Sequence, residues 1–92
     1  MDKKYSSDRF FEAILSLKTK DECAEFFADA CTPKELQAIA QRFTVAEMLY
    51  DKRVYSDIIE QTGASTATIS RVGRSINSGY KMVFERLKQE NE

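Results

Sequence analysis

A chain of 92 residues, 42% hydrophobic and 32% charged, has the size and composition of one folded domain that buries roughly 60–65% of its unfolded surface. A formal charge of −1 argues against wholesale nucleic-acid coating, the absence of histidine removes the commonest acid–base and metal-binding side chain, and no apolar run approaches the ~20 residues of a membrane span. The opening MDKKYSSDRF shows no secretory signal, so the chain is expected in the cytoplasm with no membrane partner.

Apolar spacing is helical from end to end, and no segment alternates as a strand would. Ser6 or Ser7 opens a first helix in which Phe10, Ala13, Ile14 and Leu17 form a stripe, with Phe11 and Leu15 beside it. Thr19 and Glu22 are spaced as a capping box for a second helix carrying Cys23, Phe26, Phe27 and Ala30 on one face. Cys23 and Cys31 lie eight apart, which fits neither a zinc knuckle nor a CxxC pair, so both read as small buried hydrophobes. Thr32-Pro33-Lys34-Glu35 is the clearest helix start: a capping threonine, a proline in the first turn where its missing N–H costs nothing, and a glutamate closing the box. The third helix runs to about Asp51, with Leu36, Ile39, Ala40, Phe43, Ala46, Leu49 and Tyr50 as its apolar face.

After the polar link Asp51-Lys52-Arg53, a fourth helix spans about Tyr55 to Thr62, and Gly63 follows where a left-handed conformation is cheapest. Ser65 can cap a fifth helix from about Thr66 to Ser75 or Ile76. Asn77-Ser78-Gly79 breaks the chain before a last helix, about 79–90, with Tyr80, Val83, Phe84 and Leu87 on one stripe. The expectation is an all-α, six-helix domain covering residues 1–92, with helices of about 7–51 ahead of a helix-turn-helix at about 55–76.

Charge distribution singles out that last motif. The run from Gln61 to Phe84 contains no acidic residue and three basic ones, Arg71, Arg74 and Lys81; the rest of the chain holds all 15 acids against 11 bases, a formal −4. A helix-turn-helix needs a tight turn and a few apolar residues in the crossing, and Gly63 with Ile58, Ala64, Ile69 and Val72 supplies both, Thr62 tucking in beside them. Ser65, Thr66, Ala67, Thr68, Ser70, Arg71 and Arg74 are left facing outward, small side chains that let a backbone approach base edges, and arginines for phosphate or base. An ordinary αα-hairpin with solvated hydroxyls is the alternative. The lack of acids weighs against it, since a solvated face in so charged a chain would normally carry some.

Thr32-Pro33-x-Glu35, Arg42, the run Gly63-Ala64-x-x-Ala67-Thr68-Ile69-x-Arg71 and Ser75 resemble the Trp repressor superfamily, and TGASTATISRV after Tyr55-Ser56 resembles its YerC/YecD branch. The resemblance spans about Thr32 to Ile76 and implies an intertwined homodimer that binds operator DNA. It places Ser65, Thr66, Ala67, Thr68 and Ser70 at DNA-contacting positions, with Tyr55 and Ser56 at the start of the preceding helix; Tyr55 reads equally as a core residue. It also implies an amino-acid corepressor pocket, onto which Thr32, Arg42, Arg71 and Ser75 align. Val72 stands where the repressor has glycine and would intrude on the pocket floor, which argues against tryptophan. Arg42 reads alternatively as an ion-pair partner of Glu35 or Glu47, and Arg71 as a DNA contact rather than a ligand clamp.

Phe10, Phe11, Ile14, Leu15, Leu17, Phe26, Phe27, Phe43 and Tyr50 are more large apolar surface than a small helical monomer easily covers, which points to a second copy; the alternative is that they fill one chain's core. The function expected is a sequence-specific transcriptional regulator, a repressor by resemblance, bound to double-stranded DNA as a homodimer. The other reading is an interaction or assembly module that keeps the fold without specific DNA binding. No enzyme is expected: the chain offers no histidine, no activated cysteine, no evident carboxylate pair and no phosphate loop, and neither a metal site nor a certain cofactor.

Overall fold

The computed structural model describes residues 6–90. Among them the order is α1 (Ser7–Leu15), α2 (Lys20–Ala30), α3 (Pro33–Tyr50), α4 (Tyr55–Thr62), α5 (Thr66–Arg74), a wide turn at Ile76–Tyr80 and α6 (Lys81–Glu90), with no strand. None of these helices is long and apolar enough to cross a membrane. The chain divides into a first unit ending at Leu36 and a second beginning at Gln37.

In the first unit every helix start is made by a side chain. The Ser6 hydroxyl accepts from the Asp8 amide at 3.1 Å. Thr19 Oγ1 accepts from the Glu22 amide at 3.0 Å, but the Glu22 carboxylate reaches one residue further back than a capping box requires and accepts from the Lys18 amide at 2.8 Å. At α3 the box is reciprocal: Thr32 N–H donates to Glu35 Oε1 at 2.9 Å, and Glu35 N–H to Thr32 Oγ1 at 3.1 Å. Phe10 meets Phe26 with centroids 5.8 Å apart, and Phe26 meets Phe27 edge-on at 5.3 Å. Even so, no residue of α1 or α2 is buried. The cysteines correct the expectation of burial: Cys23 is exposed on α2, and Cys31, half-buried, lies past the end of that helix in extended backbone, off the helical stripe.

The second unit holds the core: Val45, Ala46, Met48, Ile58, Ala64, Ile69, Val72 and Phe84, with Phe43, Leu49, Tyr50 and Tyr80 packed against them. Burying side chains such as Phe84, Ile58 and Ile69 contributes about 1.5–3 kcal/mol each. The Phe84 ring is met by Phe43 at 5.2 Å, Tyr50 at 5.4 Å and, nearly parallel, Tyr80 at 6.0 Å. Phe43 and Tyr50, expected to feed a partner surface, therefore edge this core. The face of α3 also differs from expectation. Val45 and Met48 point inward with Ala46, whereas Leu36, Ile39 and Ala40 are exposed.

Two chain reversals frame the core. Past α3, Arg53 N–H donates to the Met48 carbonyl at 2.9 Å and Lys52 N–H to that of Leu49 at 3.0 Å, a Schellman ending with Lys52 in the left-handed position at φ +66°. Between α5 and α6, Asn77 (φ −94°, ψ 22°) and Ser78 (φ −131°, ψ −107°) leave helical geometry, so α6 begins at Lys81, two residues later than the sequence suggested.

Candidate nucleic-acid interface

The corner between α4 and α5 is built as the pattern requires. Ile58, Ala64, Ile69 and Val72 are all buried, at 0%, 3%, 0% and 4% exposure. Gly63 ends α4 at φ 72°, ψ 7°, and its N–H donates to the Ile59 carbonyl. The Thr62 hydroxyl donates to the Ile58 carbonyl at 2.7 Å and accepts from the Ala64 amide at 3.1 Å, tying the turn on both sides. Gln41, on α3, donates through Nε2 to the Thr62 carbonyl at 3.0 Å and fastens the end of α4 to the longest helix. Nothing in the local pattern singles out Gln41, because its partner lies 21 residues away.

Ser65 caps α5. Its hydroxyl accepts from the Thr68 amide and donates to Thr68 Oγ1, both at 3.1 Å, so these two hydroxyls are committed first to the helix start. The amides of Thr66 and Ala67 lie in the first turn, where no carbonyl of the same helix can receive them, and both residues are exposed. Outward-facing donors at a helix N-terminus suit an anionic backbone. Ser70 and Thr68 are half-buried, while Arg71 and Arg74 are exposed in the last turn. Among the described residues neither arginine forms an ion pair; the pairs present are Arg9–Glu12, Arg53–Asp57 and Lys88–Asp51. Tyr55, at 44% exposure, and Ser56 lie open at the start of α4.

The residues aligned with a corepressor pocket are each engaged locally or left in solvent. Arg42 is exposed on α3 and, among the described residues, pairs with no acid on its own helix. Ser75 caps the end of α5, its N–H donating to the Val72 carbonyl at 2.9 Å. Thr32 spends its amide and hydroxyl in the capping box of α3. Val72 itself belongs to the core.

The comparisons agree on one relationship. A family model described as Trp repressor protein matches residues 6–91. The uncharacterized protein YerC of Bacillus subtilis (strain 168) is 51% identical over 85 residues, covering 89% of this chain and 82% of that protein. A TrpR-like protein from Eubacterium eligens has a crystal structure similar at TM-score 0.85 and 57% identity, over 88% of this chain and 87% of that one. Another crystal structure, described as a candidate Trp repressor from Staphylococcus aureus, is similar at TM-score 0.84 and 45% identity, over 88% and 84% of the two chains.

Proposed function

The chain belongs to the Trp repressor family, and on that premise we propose that it is a sequence-specific DNA-binding transcriptional regulator. It acts in the cytoplasm as a homodimer, presenting α4, the turn at Gly63 and α5 of each protomer to successive major grooves and repressing where it occupies a promoter. The observation that carries this reading is the outer face of α5. Exposed Thr66, Ala67, Arg71 and Arg74 stand on a corner whose apolar side is fully buried, in a stretch without a single acid. Such a face offers donors and positive charge to phosphates, and small side chains to base edges.

The test is selection of bound duplexes from a random pool, with and without added amino acids, followed by salt titration on the selected site. Arg71→Ala and Arg74→Ala are each expected to flatten the dependence of log K on log salt by about 0.9 for every phosphate no longer neutralised, close to two units for a dimer. A stable dimer that enriches no sequence and shows no salt-sensitive DNA binding at low ionic strength would instead identify an assembly module. A valine at position 72, where the repressor has glycine, favours regulation without a tryptophan-type corepressor, and the arm with amino acids reads that directly.

A further inference from the structure

At the C-terminal end of α3 three lysines face one cleft. Lys52, Lys81 and Lys88 line a cavity of about 520 Å³ together with Asp51, Asn77 and Tyr50. Three lysines and a single aspartate among its lining residues give a formal charge of +2. Lys88 Nζ lies 3.4 Å from Asp51 Oδ1 and 5.8 Å from the centre of the Tyr50 ring, so the lone acid already has a partner. Among the described residues Lys52 and Lys81 have none.

The backbone on both sides of the cleft departs from its cheapest form. Lys52 is, among the described residues, the one non-glycine held at positive φ, at a helix end where glycine would be less strained. Across from it, the break at Asn77 and Ser78 delivers Asn77 and Lys81 to the cavity wall. Unfavourable backbone conformations that persist tend to gather where a site uses them.

We propose that this cleft binds a diffusible phosphorylated small molecule. Two unengaged ammonium groups and an amide supply several donors to one region, which suits the many oxygens of a phosphate better than a single carboxylate. A volume in the range of small-molecule sites leaves room for more than the phosphate, with Leu49 and Ile76 as apolar lining. The cleft adjoins Ile76 and Asn77, past the C-terminal end of α5, and neither Arg71 nor Arg74 of the proposed DNA face lines it. The inference does not depend on DNA binding.

Titration of the full-length chain with inorganic pyrophosphate at constant ionic strength, followed by ¹⁵N amide shifts, tests it. Saturable shifts at residues 52, 77 and 81 are expected, weakened about fivefold in Lys52→Gln and in Lys81→Gln and unchanged in Lys34→Gln. Asp51→Asn should tighten binding by a similar factor, a gain that no loss of folding could produce. Shifts that do not saturate, or that weaken equally in Lys34→Gln, overturn the proposal. So does a duplex salt slope that falls in Lys81→Gln while pyrophosphate fails to bind, since the lysines would then serve DNA.

Discussion

Single residues decide the two tightest places in the second unit. Thr62 holds the α4–α5 turn by three bonds at once, its hydroxyl to Ile58 and Ala64 and its carbonyl from Gln41. Ser65 and Gly63 were readable because capping and left-handed glycine have local signatures. Gln41 was not, because a side chain reaching the carbonyl of a residue distant in sequence leaves no trace in spacing. Lys52 was hidden for the opposite reason: a helix end of its kind is normally marked by glycine, and here a lysine accepts φ +66°. Lys52→Gly should therefore raise stability by about 0.5–1 kcal/mol, the relief of the left-handed side chain being partly offset by the freer unfolded chain. A urea midpoint that rises at unchanged slope would show it. A fall would mean that the lysine side chain is held by interactions worth more than its strain.

At the scale of elements, α4 and α5 followed their pattern, while α3 followed it at Phe43, Ala46, Leu49 and Tyr50 but not at Leu36, Ile39 and Ala40. The four residues assigned to the crossing are the ones buried, since two short amphipathic helices around a glycine leave little choice of face. Helix α3 carries apolar residues on several sides, so local periodicity could not decide between a stripe through Leu36 and Ile39 and one through Val45 and Met48. Packing against α4, α5 and α6 made that decision. The corner's two glycines make opposite predictions. At Gly63 an added Cβ meets nothing within 4 Å, so Gly63→Ala costs only the left-handed backbone term, about 1–2 kcal/mol. At Gly73, inside α5, the same Cβ would sit 3.7 Å from Leu49 Cδ1, an ordinary van der Waals distance, so Gly73→Ala should stabilise by about 0.5–1 kcal/mol. Thermal unfolding of the two variants separates these signs; a lower midpoint in both would show that α5 has no room for a methyl group there.

Across the whole molecule the apolar surface is unevenly used. Phe10, Phe11 and Leu15 stand 43%, 55% and 83% exposed, and Leu36 and Ile39 36% and 45%, while neither α1 nor α2 buries a residue. Isolated helices of nine and eleven residues are marginal in water, and caps such as Ser6 and Thr19 supply only about 1 kcal/mol each. Their order therefore calls for a surface to lie against, and a second copy offers one with the same unmet need. If that is how the chain is completed, folding and assembly are one equilibrium, and the unfolding midpoint must climb with protein concentration. Leu15→Lys distinguishes this from a self-sufficient monomer. In a monomer the substitution falls on a side chain already in water and should change stability by no more than about 0.5 kcal/mol. In a dimer it places a charge in an apolar interface, so sedimentation should give half the mass, the concentration dependence should vanish, and paired half-site DNA should no longer be held. Unchanged mass with unchanged stability would return the aromatic surface of α1 and α2 to a different partner.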